Sequence, residues 1–250
     1  MSSLEKAFSL IIAAHAVSVV FHDLKTGERV AVRADESLHA ASTMKLAVLL
    51  AALKHGGLDQ AVVVENRFQS LKDQSDFACD ARDDNDDWTY QQIGKPVPLR
   101  TLLERMIVRS SNLATNNVMR VVPAAEVMRL GVPGLKVLRG VEDQKAHDAG
   151  LDNTATAAAL EQLLMQMPPE GLEILQRQEL NEGIPAALPP GTRVAHKTGS
   201  ITRHYHDAAL IDGHIILVVM TRDFAAEADA VKVVQDIARA AFQHVLDPLR

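Results

Sequence analysis

Leu4, Phe8, Ile11 and Ile12 recur at helical spacing, so residues 4–14 are expected to form an amphipathic helix. Val17, Val19 and Phe21 then alternate with period two, as do Val30 and Val32. Between them Asp23-Leu24-Lys25-Thr26-Gly27-Glu28 supplies a glycine-containing turn, which predicts a β-hairpin. Residues 46–53 are almost wholly apolar and run into His55-Gly56-Gly57, the pattern of a helix buried on every side. Pro98 opens a helix carrying Leu99, Leu102, Leu103 and Met106; a second is expected over 111–122 and a third over 124–130.

No period is sustained over 131–152, which reads as a long structured loop of the kind that often carries function. Asn153-Thr154 can cap a helix bearing Leu160, Leu163, Leu164 and Met167, stopped by Pro168-Pro169. Strand patterns return at 193–198, 208–211 and 215–220. Val231, Val234, Ala238, Ala241 and Val245 then mark a closing helix.

Strands near both ends with helices between predict an α+β fold. About five strands form one antiparallel sheet packed by the terminal helices, with an all-helical insertion. The expected division is 1–41 plus 183–250 for the sheet subdomain and 42–182 for the helical one, with the active site at their interface.

The chain has 250 residues, of which 47% are hydrophobic and 23% charged, enough for a substantial core and unlike a disordered segment. The net charge of −6 offers no basic field for a phosphate backbone, so nucleic acid is not an expected partner. Cys79 is alone, which excludes an intrachain disulfide and a cysteine-rich metal site. No apolar run approaches a membrane span. Met1-Ser2-Ser3-Leu4-Glu5-Lys6 lacks the features of a signal peptide, so the sequence as written reads as cytoplasmic.

Three short motifs carry candidate chemistry. In Ser42-Thr43-Met44-Lys45, one helical turn brings the lysine amine beside the serine hydroxyl at the start of a buried helix. Desolvation there lowers the amine's pKa and fits it to act as a base. Ser3-Leu4-Glu5-Lys6 repeats the spacing, so the pair is not decisive by itself. Ser110-Ser111-Asn112 lies between two helices, where the plain alternative is a helix cap. Lys197-Thr198-Gly199-Ser200 ends an expected strand, with the glycine admitting a close backbone approach and the lysine a fixed charge.

S-x-x-K, S-x-N and K-T-G in this order resemble the penicillin-recognising serine hydrolases, and the length is similar to class A β-lactamases. The opening helix, the D-x-K-T-G-E hairpin, the closing helix and Val194-Ala195-His196-Lys197-Thr198-Gly199-Ser200 extend the resemblance over nearly the whole chain. The resemblance implies a β-lactamase/transpeptidase-like fold and a β-lactam or acyl-peptide substrate opened through an acyl-enzyme. It implies no cofactor, no metal and a monomer, periplasmic or secreted if a leader precedes this sequence. Ser42 would be the nucleophile, Lys45 its activating partner and Ser110 the proton relay to the leaving nitrogen. Asn112 would bind the substrate's side-chain amide, and Lys197, Thr198 and Ser200 its carboxylate. The backbone N–H groups of Ser42 and Ser200 would form the oxyanion hole.

The departures fall mainly on deacylation. Ser111 stands where the pattern has Asp, and Ala41 where many members have Cys. In Arg139-Gly140-Val141-Glu142-Asp143-Gln144-Lys145-Ala146 the glutamate comes one place late, no proline follows it, and Ala146 stands where Asn would hold a water. Glu142 is the candidate base and Asp143 the second choice; the plain alternative is a solvent-facing loop carboxylate. A D,D-peptidase or esterase, and a β-lactam sensor with slow deacylation, remain rivals.

His204-Tyr205-His206-Asp207 lacks the full spacing of a metallo-hydrolase motif and reads as strand and turn. Residues 83–88 lack the glycine of a calcium loop and read as a solvated loop. Trp88 and Tyr90 can overhang a cleft or form a satellite cluster, and Arg203 is a further candidate for carboxylate binding.

Overall fold

The computed structural model describes residues 2–13 and 15–246. Strands β1 (Ala16–Asp23), β2 (Arg29–Val32), β9 (Val194–Ile201), β10 (His204–Ile211) and β11 (Ile215–Arg222) form one antiparallel sheet in the order β2-β1-β11-β10-β9. Three two-stranded ribbons accompany it: β3 (Leu38–His39) with β8 (Thr154–Ala155), β4 (Ala61–Val63) with β7 (Pro96–Pro98), and β5 (Phe68–Gln69) with β6 (Asp76–Phe77). Helices α1 (Ser3–Ile12) and α10 (Glu227–Leu246) pack together on one face of the sheet. The other face meets α8 (Ala157–Gln166), behind which lie α2 (Lys45–His55), α4 (Leu99–Val108), α5 (Asn112–Val121), α6 (Ala124–Met128) and α9 (Pro169–Leu175). Short helices α3 (Asp87–Tyr90) and α7 (Gln144–Asp148) complete the described fold.

Residues 215–221 are all buried because the sheet is covered on both faces. Ile215, Leu217 and Val219 join the core under α1 and α10, while Ile216, Val218 and Met220 join the larger core built around α2. The expected central helix takes its place there: every residue from Lys45 to Ala52 is buried. Its nearly all-apolar composition is what a rod packed on all sides requires.

Several local expectations change. The first helix ends at Ile12; its expected end at Ala14 lies outside the described residues. The loop at 131–152 contains α7, capped by the Asp143 side chain on Ala146 N. Thr156, not Asn153-Thr154, caps α8, because the Asn153 amide is taken by Leu138 N, Arg139 N and Arg139 O. Pro168-Pro169 does stop that helix, but Pro169 is also the first residue of α9. The K-T-G segment lies inside β9 rather than at its end. Among the described residues no helix is long and apolar enough to cross a membrane.

Leu49 is fully buried at the centre of α2. Leu49→Ala is expected to lower unfolding free energy by about 2–5 kcal/mol through lost transfer energy and a residual cavity, read from urea denaturation.

Candidate active site

Ser42 does not open α2 directly. It sits on a 3-10 turn over Ala41–Met44 that feeds the helix, and Ala41 before it takes a left-handed φ of +46°. Ser110 (φ +57°) and Glu142 (φ +66°) share that sparsely populated conformation. Strained non-glycine backbone at three points around one cleft is held only where surrounding contacts over-determine it. One such contact comes from β9. A Cβ on Gly199 would lie 3.0 Å from both Ser42 N and Thr43 N, so glycine is what lets the strand approach the serine turn.

Lys45 is fully buried, and its Nζ donates to Ser110 O (2.6 Å), Asn112 Oδ1 (2.9 Å) and Ser110 Oγ (3.2 Å). From the other side Lys197 Nζ donates to Ser110 Oγ (3.0 Å), Gln178 Oε1 (2.9 Å) and Thr198 O (2.9 Å). Burial pushes the Lys45 amine down to about 8, with Asp84, Cys79 and Glu142 opposing that shift. Burial and the neighbouring Lys45 charge push Lys197 well below the ordinary lysine range. Ser110 Oγ therefore accepts from two amines, which occupies both lone pairs and leaves its own proton to donate.

Asn112 links this pair of lysines to the loop carboxylate, its Nδ2 donating to Glu142 Oε1 at 2.9 Å. Asp80 N donates to Glu142 Oε2 at 2.7 Å. Burial raises the Glu142 pKa, while these two hydrogen bonds restrain the shift. Glu142 is thus not a free solvent-facing carboxylate. The backbone that carries it is pinned to α5 one turn beyond Asn112: Asn116 Nδ2 donates to Val141 O and Asn116 Oδ1 accepts from Val141 N. Asp143, the second-choice base, is committed elsewhere. It is buried and accepts from Ser70 Oγ, Leu71 N and Ala146 N.

Lys45, Ser110, Asn112, Lys197 and Glu142 are thus joined by a continuous hydrogen-bond chain, and Gly199 brings β9 against the backbone of the Ser42 turn. Thr198 and Ser200 lie on the same strand; Thr198 meets the chain at Lys197 and Gln178, whereas Ser200 bonds outside it. Thr198 Oγ1 reaches Gln178 Oε1 at 3.4 Å, and exposed Ser200 Oγ donates to Glu227 Oε2 at 2.5 Å. Arg203, on the turn after β9, faces Asp223 at 3.6 Å. Trp88 and Tyr90 pack against the larger core, Trp88 under the Arg105 guanidinium. Residues 83–88 are not simply solvated: Asp84 and Asp86 both accept hydrogen bonds from helical segments, Asp86 from Thr89 and Arg105.

Gln178, Asp84 and Asn116 carried no motif and were not expected at the site. Only Asn116, one turn after Asn112, had a signal to offer.

Of the groups suited to metal ligation, His39, His147 and Asp152 come together among the described residues. Arg139 shares the cluster, 3.2 Å from Asp152 Oδ1. His39 Nδ1 accepts from Ala41 N, and burial holds the ring's pKa near 4, so the neutral ring keeps its proton on Nε2, the atom a metal would need. The group suits an ion-pair cluster at the neck of the loop. His206, from the other candidate motif, spends Nδ1 on Thr221 N and Nε2 on His39 O.

The profile of the beta-lactamase enzyme family matches residues 3–245. The chain belongs to that family. Among solved structures, PBP-A is 23% identical over 98% of this chain and 97% of its own, with a TM-score of 0.79. A β-lactamase from Chitinophaga pinensis is 20% identical over 98% of this chain and all of its own, with a TM-score of 0.81. A point mutant of PBP-A, described as an acyl-enzyme complex with penicillin-G, is 23% identical over 97% of this chain and 96% of its own, with a TM-score of 0.79. At these identities the likeness establishes the β-lactamase fold. No curated protein sequence matches the chain. Membership of the β-lactamase family makes it a hydrolase acting on small molecules.

The depressed Lys45 pKa makes stability depend on pH with a definite sign. Below about pH 8 the ammonium is charged in folded and unfolded chains, and its burial cost is fully present. Between about 8 and 10.5 the folded chain releases its proton first and the cost is relieved. Relative to Lys45→Met, the wild type is expected to gain about 3 kcal/mol across that window in urea denaturation at stepped pH.

Proposed function

We propose that the protein is a class A-like β-lactamase that works through an acyl-enzyme on Ser42. The observation that carries the reading is the pair of buried lysines meeting on one hydroxyl, Ser110 Oγ, beside the serine turn. In the proposed acylation Ser42 Oγ attacks the lactam carbonyl as Lys45, in its neutral form, takes the hydroxyl proton. A lysine near 8 is a competent base at neutral pH. The developing oxyanion accepts from the backbone N–H groups of Ser42 and Ser200, an assignment supported by the close approach of Gly199, the residue before Ser200, to Ser42 N. The C–N bond breaks, and the leaving nitrogen takes the Ser110 proton, which Lys45 replaces. Asn112 binds the substrate's side-chain amide, and Lys197, Thr198 and Ser200 its carboxylate.

Hydrolysis of the ester requires a water and a base. Glu142, half-buried with a raised pKa and one hydrogen bond from Asn112, is the group suited to it. A second reading has support from one observation. Ala146, buried in the first turn of α7, provides no side-chain amide to orient a water, which favours a D,D-peptidase, an esterase or a β-lactam sensor with a long-lived adduct.

Ser42→Ala is expected to abolish covalent labelling by a fluorescent penicillin, while Ser3→Ala leaves it unchanged; labelling that persists in Ser42→Ala overturns the nucleophile. Glu142→Gln is expected to acylate normally but to lengthen the adduct's half-life by about 10²–10⁴-fold, followed by mass spectrometry. A half-life that stays at the wild-type value removes Glu142 from deacylation. For Lys197→Ala, kcat/KM is expected to fall roughly 10- to 150-fold more for a carboxylate-bearing substrate than for a neutral ester. Equal losses would assign Lys197 to proton transfer or structure.

A further inference from the structure

The start of α5 is organised by a carboxylate that belongs to no motif. Asp84 lies 27 residues before Ser111 in sequence, and its Oδ2 accepts from Ser111 Oγ (3.1 Å), Asn112 N (2.8 Å) and Leu113 N (2.9 Å). Ser111, fully buried, is the N-cap of the helix, its own Oγ accepting from Ala114 N. A single oxygen therefore collects two orphan helix-start N–H groups and the cap hydroxyl, where the helix dipole favours negative charge. Asp84 Oδ1 in turn accepts from Asp86 N, which fixes the carboxylate within its own loop.

Ser111 is flanked by Ser110 and Asn112, the two residues that hold Lys45 Nζ. An anion clamped here thus fixes the backbone of the Lys45 acceptors and also faces the ammonium. We infer that Asp84 is a positioning residue for the Ser42 chemistry, anchoring Ser110-Ser111-Asn112 against Lys45 and supplying the negative charge that Ser111 does not.

The charged and titratable groups facing Lys45 are Asp84 from its loop, Glu142 from the loop before α7, Cys79 from the segment after β6, and Lys197 from β9. Of the first three, Asp84 opposes the burial-driven fall of the Lys45 pKa most. It also raises that of Glu142. Removing its charge lowers both, so the titration moves the same way whichever group serves as base.

The inference rests on the serine acylation reading only for its kinetic arm. Asp84→Asn keeps size and an acceptor oxygen while removing the charge. Asp84→Ala combined with Ser111→Asp returns a carboxylate from within the motif. With 13C-labelled lysine, the Lys45 titration in the free protein is expected to move down by roughly half a unit to one unit in Asp84→Asn and to recover in the double variant. The rate of Ser42 acylation by penicillin G is expected to fall about 100-fold in Asp84→Asn, its acid limb moving to lower pH, and to recover to within about ten-fold in the double variant. An unmoved Lys45 titration, or a wild-type acylation rate and pH profile in Asp84→Asn, overturns the inference. If the wild type itself is not acylated, the acylation reading fails, and the Lys45 titration alone decides the role of Asp84.

Discussion

Lys45 Nζ is held by Ser110 O, Ser110 Oγ and Asn112 Oδ1 with no exposure to water, and an ammonium so placed is tolerable only while its protons have acceptors. That requirement reaches outward through the molecule. It fixes the junction between α4 and α5, because both residues that accept lie there. It makes the left-handed backbone of Ser110 acceptable, since Ser110 must present its carbonyl and its hydroxyl to the same amine. It goes with burial of α2 from Lys45 to Ala52, and it brings Asp84 and Glu142 near enough to moderate the cost of the buried charge. Loosening any one of these leaves a charge buried without its full set of partners.

The sheet supplies the opposite wall. Antiparallel pairing with β10 sets the register of β9, and Gly199 allows it to lie against the serine turn. Lys197 then enters the same hydroxyl from the far side. Gln178, just beyond α9, holds its amine, while Gln178 Nε2 donates to His196 O, so one amide ties the residue before Lys197 to the lysine's head group. The loop carrying Glu142 is held by Asn153 on Leu138 and Arg139, by Asn116 on Val141 and by Asp143 on Ser70 and Leu71. Three segments distant in sequence therefore converge on one cleft, each by a small number of directed hydrogen bonds on a well-packed apolar frame.

The apolar frame was largely readable from sequence. Period-two runs marked the hairpin, short apolar runs between turns marked the three late strands, the all-apolar run marked α2, and the terminal helices followed from their 3.6 period. Two-residue ribbons such as β5 with β6 left no period to read, and α9 was hidden because a proline pair ends one helix and opens the next. At the site, Ser42, Lys45, Ser110, Asn112 and Lys197 were legible because short motifs on helix starts and strands fix side chains locally. Asp84, Asn116 and Gln178 were not, because each acts across a long sequence separation and Asp, Asn and Gln in loops and helices are ordinary. Residues 83–88, expected to be solvated, show the same limit: a run of acids looks like surface until the helix start it caps is in view.

In the proposed reaction the two lysines and Ser110 serve a nucleophile at Ser42 which forms, and then loses, an acyl adduct. Intact-mass spectrometry of the wild-type protein during turnover of penicillin G tests it most directly, with peptide mapping of the trapped species. The expected result is a transient gain equal to the mass of the whole penicillin, located on Ser42, that decays as the ring-opened product accumulates. Product release with an adduct on a residue other than Ser42, or no adduct and no product at any time point, would contradict it.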